Sequence, residues 1–501
     1  MLNTVRHFFR RCSSNASISG KTIYALSSGQ GRCAIAVIRV SGPSAYKVMT
    51  DMARLKSLPE PRKLILRKLT DPETRELLDI GLVSWFPGPN SFSGEDMCEI
   101  HVHGGIAVIT SVQRSLSKLS GFRIAEPGEF TKRAFFNGKF DLTQVEGLSD
   151  LLQAETEMQR HQALLQLDGI LYKKYDIWKQ KLKKCMANVE AFIDFGEDEN
   201  IESDVLDNAN IELKKLRKEI ESALLDNRKG ERIRGGVHVV IVGKPNVGKS
   251  SLLNIICQRE AAIVSPVPGT TRDVISCSLN IGGYPVHISD TAGIRETEDL
   301  IENEGVKRAK KCALHSDLMI IMIEANEAIQ LVKDGKRSID VVAQLLNDIG
   351  MSSNEFRNSQ TNKKQPMTFI AINKHDLLSY NEIEKLEQFI RDLAQLKFQL
   401  CIISCKTETG LEDFLKLLQE KIEILCGNPL VENPMLTRER HRMHLANCVN
   451  NLDSYFDTIN KDIVIAAHHL RKGLLQLGKI NGKVTTEDIL DVIFKDFCIG
   501  K

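Results

Sequence analysis

The stretch GKPNVGKSS, Gly243 to Ser251, holds Gly243, Gly248, Lys249 and Ser250 in the G-x-x-x-x-G-K-S spacing at the end of the strand-like run VHVVIVG. The chemistry of that spacing is narrow. Its glycines let backbone N–H groups wrap phosphate oxygens, the helix that starts here turns its positive end toward them, Lys249 reaches the outer phosphates, and the Ser250 oxygen can ligate Mg²⁺. Such a loop needs a strand before it and a helix after it. From Val237 to about Cys426 the runs VHVVIVG, VISCSLNIG, VHISD, LMIIMIEA, MTFIAINK and QLCIISC alternate with helical stretches. That alternation specifies a doubly wound, mostly parallel sheet covered by helices on both faces.

Four more motifs follow in order: GTTRD at Gly269, DTAG at Asp290, NKHD at Asn373 and SCKT at Ser404, each at the carboxyl edge of a strand, where such folds bind ligands. Thr271 and Asp290 are placed to complete the Mg²⁺ sphere, the first directly and the second through water. Asp376 offers two acceptor oxygens to the N1–H and 2-amino group of guanine, which adenine cannot match, so the base is guanine and the segment is a GTPase domain. The candidate GTP contacts are Asn246, Val247, Gly248, Lys249, Ser250 and Ser251 in the first loop, Gly269, Thr270 and Thr271 in the second, and Asp290, Thr291, Ala292 and Gly293 in the third. Asn373, Lys374 and Asp376, with Ser404, Cys405 and Lys406, complete the set. Many small GTPases carry Gln directly after DTAG to orient the attacking water, but here that residue is Ile294, which cannot do so by hydrogen bonding. Arg295, Glu296, Glu298 and Glu302 are the candidates for that task, and composition does not choose among them.

The chain is longer than this domain. Its 501 residues suggest about three domains. Between Thr22 and Asp141 short apolar runs alternate with Gly and Pro punctuation, an α+β pattern. From Leu142 the period becomes helical: Leu142, Val145, Leu148, Leu151 and Leu152, then Leu164, Leu167 and Leu171. The acidic patch FIDFGEDENIESD marks a helix break. Helices resume after Pro434, the last capped by Thr485 or Thr486. Helices thus flank the α/β segment, and the economical picture is one helical domain interrupted by an inserted α/β domain. The boundaries read as 1–17 for a leader, 18–141 for the N-terminal domain, 142–232 and 429–501 for the two parts of the helical domain, and 233–428 for the GTPase domain. The polar tract from about Lys333 to Gln365 reads as a helix and a loose loop without a motif.

Charge and cysteine usage bound the setting. Sixty-seven Lys and Arg against sixty-five Asp and Glu leave +2, which excludes a strongly basic nucleic-acid coat. No apolar run approaches the roughly 18 residues a membrane span needs. Twelve Cys without a CxxC pair speak against a zinc ribbon or a disulfide framework and for a reducing compartment. Met1 to Thr50 contain no Asp or Glu, and Arg6, Arg10 and Arg11 with Phe8, Phe9 and several Ser make an opening of the organelle-transit kind. His101 and His103 face one side of a strand, and followed by Gly-Gly they read as a packed turn rather than a metal site. The Cys498 thiol could act as a nucleophile if its pKa is lowered; its ordinary reading is a small apolar residue.

After the leader, the chain resembles the MnmE (TrmE) tRNA-modification GTPases in their mitochondrial form. The resemblance rests on GRCAIAVIRVSG, WFPGPNSFSGED, EIHVHGG, PGEFTKRAFFNGKFDL, REAAIVSPVPGTTRD, DTAGIRETED and the terminal CIGK. It implies a folate-binding N-terminal domain that dimerises, a helical domain, and an inserted GTPase domain that pairs across the homodimer when GTP and K⁺ are bound. By that likeness Asn246, Ser265, Val267 and Thr270 surround K⁺, Ser265 also lies against the nucleotide, and Glu302 orients the water through a bridging water. Arg39, Glu99, Lys139 and Lys501 are the implied folate residues, and Cys498 belongs to the implied C-terminal motif. The resemblance further implies an FAD-containing partner subunit, tRNA as substrate, 5,10-methylenetetrahydrofolate as one-carbon source, and the mitochondrial matrix as location. Two positions depart from the family: Ser265 stands where bacterial relatives often have Thr, and Cys405 where Ala is usual.

Overall fold

The computed structural model describes residues 20–29, 31–195, 204–262, 276–290, 316–333, 366–395, 399–430, 435–482, 493–494, 497 and 500. The leader, Thr485, Thr486 and nearly all of the 333–365 tract fall outside these residues. The chain forms two compact units, Met1–Ser149 with Gln166–Gln180 and Leu474–Lys501, and Asp150–Leu165 with Lys181–Gly473.

The first unit is built on a six-stranded sheet: β1 (Thr22–Leu26), β2 (Cys33–Ser41), β3 (Ile65–Thr70), β4 (Leu77–Phe86), β5 (Met97–Gly104) and β6 (Phe122–Ile124). Their order is β3-β4-β5-β2-β1-β6. Every pairing is antiparallel except β1 with β6. Period-two alternation decides what each face carries. Ala36, Ile38 and Val40 of β2 are buried with Cys98, Ile100 and Val102 of β5, under Val112 and Leu116 of helix α1 (Ile106–Ser117). The intervening residues Arg39, Glu99 and His101 therefore share the opposite face. Helix α2 (Glu129–Phe136) lies over that face through Phe130, which clusters with Ile23, Ala25 and Phe92.

Helices α3 (Leu142–Gln153), α4 (Glu157–Leu167) and α5 (Ile170–Phe195) follow, as the helical period predicts. Helix α5 is described as far as Phe195 and α6 (Asp204–Leu224) follows; the acidic patch between them, where a break is expected, lies mostly outside the described residues. In the second unit Leu213, Leu216 and Ile220 of α6 are buried, as are Leu445, Cys448, Leu452 and Tyr455 of the later helix Glu439–Thr458. The Tyr455 hydroxyl donates to Asn210 Oδ1 at 2.7 Å. Among the described residues no helix is long and apolar enough to cross a membrane.

After α7 (Lys229–Gly235) comes the second sheet, ordered β13-β12-β11-β7-β10-β9-β8. Its strands are β7 (Val237–Val242), β8 (Ala261–Ala262), β9 (Ser276–Ile281), β10 (Tyr284–Asp290), β11 (Leu318–Glu324), β12 (Met367–Asn373) and β13 (Leu400–Ile402). The five strands β13, β12, β11, β7 and β10 run parallel, and β9 and β8 close the edge antiparallel. The run LMIIMI of β11 shows why: all six side chains are at most 1% exposed, alternating between two apolar layers. Each such burial is worth about 1.5–3 kcal/mol, so a single charge here, for instance Ile321→Asp, would break the sheet.

Candidate functional site

Strand β7 is the centre of the second sheet, flanked by β10 on one side and β11 on the other. The chain turns to opposite sides from it, which makes its carboxyl end the switch point where open α/β sheets bind ligands. The Gly243–Ser251 loop leaves from that end and runs into helix α8 (Lys249–Arg259). Two left-handed residues shape the loop, Asn246 at φ 63° and Gly248 at φ 102°. Gly248 has a second reason to lack a side chain, since a Cβ there would lie 2.3 Å from Asn373 Nδ2. The Lys249 side chain is 6% exposed and its ammonium donates to the carbonyls of Gly243 and Lys244, at 2.8 Å each. It is thereby held over the concave side of the loop, where a phosphate chain would replace those carbonyls. Asn246, Ser250 and Ser251 are exposed on the loop surface and Val247 is buried beneath it.

The turn that carries Asp376 is tied to the phosphate loop by one buried residue, Asn373, which the sequence also gives as a candidate GTP contact. Asn373, 1% exposed at the end of β12, donates from Nδ2 to the Val247 carbonyl at 2.7 Å and accepts at Oδ1 from the Cys405 N–H at 3.0 Å. It clamps the phosphate loop to the SCKT turn. Ser404 is buried, donates from its hydroxyl to Asp376 Oδ1 at 2.7 Å, and accepts the Thr407 N–H at 3.2 Å. That hydroxyl bond, together with the nearby Lys406 and His375 charges, holds the Asp376 carboxyl below its usual range, ionised as an acceptor for N–H groups. Lys374 is left-handed at φ 64° and its ammonium pairs with Glu324 at 2.8 Å. Burial pushes the Cys405 thiol up to about 11, so it serves as an uncharged filler beside the turn.

Asp290 closes β10 in register with Ile241 of β7, which brings it to the same carboxyl edge as the phosphate loop. The expected contacts Ser265, Val267, Gly269, Thr270, Thr271, Thr291, Ala292 and Gly293 lie outside the described residues, as do Arg295, Glu296, Glu298 and Glu302. What is described fits a magnesium nucleotide: a backbone cradle with a buried ammonium, a serine at the helix start and an ionised carboxylate, Asp376, on the neighbouring turn.

A second polar cluster lies on the first sheet. Arg39 and Glu99 are direct cross-strand partners, and the guanidinium donates to Glu99 Oε1 from Nε at 3.1 Å and Nη2 at 3.0 Å. The same guanidinium lies 5.1 Å from the Phe92 ring centroid. Lys139 donates to the Pro89 carbonyl at 3.1 Å, on the loop that carries Phe92. Lys501 and Cys498 are outside the described residues, but Gly500 is placed beside β1, its carbonyl accepting the Ser27 hydroxyl at 2.9 Å. The cluster thus joins Arg39 to Glu99 and sets Lys139 on its rim. Arg39 Nη1 is buried without a hydrogen-bond partner among the described residues, as is His101 Nε2. Such orphans fit a bound ligand with donor and acceptor edges.

His101 and His103 are strand residues, as read from the sequence, and β5 runs through Gly104 before helix α1 starts at Ile106. They share a face as expected, and no metal-binding group of His, Cys, Asp or Glu occurs among the described residues. Sequence reasoning missed Phe92 and His101 as neighbours of Arg39. The available signal was the alternation Glu99, His101, which puts both on the side of the sheet that carries Arg39.

Comparison with known proteins covers nearly the whole chain. The family model "GTP-binding protein TrmE N-terminus" matches residues 22–139, and "MnmE helical domain" matches 142–498. The mitochondrial 5-taurinomethyluridine-tRNA synthase subunit of Danio rerio is 48% identical over 480 residues, which is 96% of this chain and 93% of the relative. The human protein of the same description is 44% identical over 483 residues, 96% and 94% of the two chains. The tRNA modification GTPase MnmE of Parvibaculum lavamentivorans is 42% identical over 483 residues, 96% of this chain and 100% of that one.

Proposed function

The chain belongs to the MnmE (TrmE) family and is a GTPase of tRNA modification, and from that premise we propose that it works in the mitochondrial matrix on the C5 position of the wobble uridine of certain tRNAs. The product is of the taurinomethyl or carboxymethylaminomethyl type. The partner is an FAD-containing subunit, and the one-carbon unit comes from 5,10-methylenetetrahydrofolate, which supplies a methylene carbon when bound. Support for the location is the acid-free, arginine-bearing N-terminus and the mitochondrial description of the animal relatives.

In this reading each candidate site residue has a task in the nucleotide cycle. Asp376 takes the N1–H and 2-amino group of guanine, Asn373 keeps the base turn and phosphate loop at fixed separation, and Lys249 leaves its loop carbonyls for the phosphates. Ser250 and Thr271 hold Mg²⁺, with Asp290 behind a water. Asn246, Ser265, Val267 and Thr270 hold K⁺, whose charge stands where other GTPases use an arginine finger. Glu302 orients the attacking water indirectly. Hydrolysis follows pairing of two GTPase domains across a homodimer and drives opening and closing, with no phosphoryl transfer to the tRNA. In the N-terminal domain Arg39, Glu99 and Lys139, joined by Lys501, hold the folate, and the orphan Arg39 Nη1 supports this. The GTPase domain is read as an insertion at 233–428 between helical segments 142–232 and 429–501, the N-terminal domain spanning 18–141.

The observation that supports the reading is the Asp376–Ser404–Asn373 arrangement, whose hydrogen bonds hold the Asp376 carboxylate and tie its turn to the phosphate loop. The test is mass spectrometry of mitochondrial tRNA nucleosides from cells lacking the protein. The wobble modification should disappear and return with the wild-type chain but not with Asp376→Asn. Intact modification in the null cells would instead point to a GTPase of ribosome assembly.

A further inference from the structure

We propose that His101 is a further ligand residue of the N-terminal cluster, contacting the pterin-type ring of a reduced folate beside Glu99. The inference rests on the folate reading of Arg39, Glu99 and Lys139 and adds a residue to it.

Position comes first. In β5 the residues Glu99, His101 and His103 alternate onto one face while Cys98, Ile100 and Val102 fill the core on the other. His101 is opposite Val37 in β2, two positions from the Arg39–Glu99 pair, and opposite Leu82 in β4. The two imidazoles on this face have different fates. His103 is 73% exposed at the side chain, and its Nδ1 is hydrogen-bonded to Asp79 at 2.9 Å. The His101 side chain is 24% exposed, and its Nε2 is fully buried with no partner among the described residues. The nearest carboxylate oxygen, Glu99 Oε2, is 3.7 Å away, beyond hydrogen-bonding distance.

Cost comes next. A buried polar atom left unmatched costs about 1–3 kcal/mol, and folded proteins carry only a few in every hundred or so residues. Here two occur around one carboxylate, Arg39 Nη1 on β2 and His101 Nε2 on β5. Arg39 Nη1 can only donate, Glu99 when ionised can only accept, and a neutral imidazole nitrogen can do either. A mixed row of this kind matches a flat heterocycle with donors and acceptors along one edge, and does not match a simple anion. Phe92, against which the Arg39 guanidinium rests, supplies an aromatic wall for a flat ring.

The experiment measures equilibrium binding of 5-formyltetrahydrofolate to the purified full-length protein by calorimetry, with GTP turnover as the check on folding. His101→Phe keeps a flat ring, somewhat larger, and removes the polar nitrogens; binding should weaken about tenfold with GTP turnover unchanged. His101→Gln keeps a donor and an acceptor at similar reach and should restore most of the affinity. Should Phe unfold the sheet, His101→Asn, polar but too short, carries the same expected loss. Wild-type affinity in His101→Phe, alongside loss in Arg39→Ala, would overturn the role of His101 and leave the folate reading standing. Equal losses in the Gln and Phe variants would reduce His101 to a shape requirement and overturn the proposal. No binding by the wild-type protein would overturn both.

Discussion

Asp376→Asn should convert this protein from a guanosine to a xanthosine nucleotide enzyme, and the structure says why the new amide would face the base. The Ser404 hydroxyl accepts the Thr407 N–H and so spends its own proton on Asp376 Oδ1. In the variant only the asparagine oxygen can take that proton, which turns the amide NH₂ toward the base. Guanine then loses two hydrogen bonds to a charged acceptor, each worth about 1.5–3 kcal/mol, and meets a donor facing its own 2-amino group. The sum, about 3–6 kcal/mol, corresponds to roughly 10²- to 10⁴-fold weaker GTP binding. Xanthine, with an oxygen at position 2, accepts from the same NH₂ and should bind better to the variant than to the wild type. The assay is competition of GTP and XTP against a fluorescent nucleotide, for wild type, Asp376→Asn and Asp376→Asn with Ser404→Ala. The double variant frees the amide to rotate and should lose part of the xanthosine preference. Retained preference for GTP in the single variant would refute the assignment of Asp376.

Other expectations are as direct. Gly248→Ala puts a Cβ 2.3 Å from Asn373 Nδ2 at a left-handed φ of 102°, so nucleotide binding should be lost while the far-ultraviolet circular dichroism stays close to wild type. Replacing K⁺ by Na⁺ at constant ionic strength should slow GTP hydrolysis at least about tenfold if a cation does the work of an arginine finger, and equal rates would remove that role. Glu302→Ala should bind GTP normally but turn it over far more slowly, as read by stopped-flow binding beside phosphate release. Burial pushes the Asp71 carboxyl up, but hydrogen bonds from Ser115, Lys118 and the Thr74 and Glu73 N–H groups prevail and hold it well below the ordinary range. A depressed folded-state value means that this carboxylate stabilises the fold above about pH 4 and ceases to do so as the pH falls below that. The melting temperature of Asp71→Asn should therefore lie below wild type at pH 7, and the gap should narrow toward pH 3.

The nucleotide site was largely legible because its chemistry is written in contiguous stretches, each attached to one strand end. What joins those stretches was not. Asn373 meets Val247 across 126 positions and Cys405 across 32, and no local pattern announces that one amide serves both. Strand alternation put His101 with His103 on one face of β5 but did not single out Glu99 as its neighbour, and the following Gly-Gly suggested a turn. Gly104 is instead the last residue of the strand, against Cys33 of β2. Helical periodicity located α3 to α5 but overstated their core. Leu152 and Leu164 are 47% and 37% exposed, whereas Leu142 and Leu171 are buried, because the breaks between helices reset the phase of the leucine repeat.

Phe494 and Phe497 pack with Leu142 and Val145, the Phe494 carbonyl comes so near Gly128 that a Cβ there would lie 2.4 Å from it, and Gly500 touches Leu26 as closely. A ribosome makes the sheet that receives these residues long before the residues themselves. This unit stays incomplete while more than three hundred codons of the other unit are read. Interrupted synthesis would thus spare the later-begun unit and leave the earlier one unfinished.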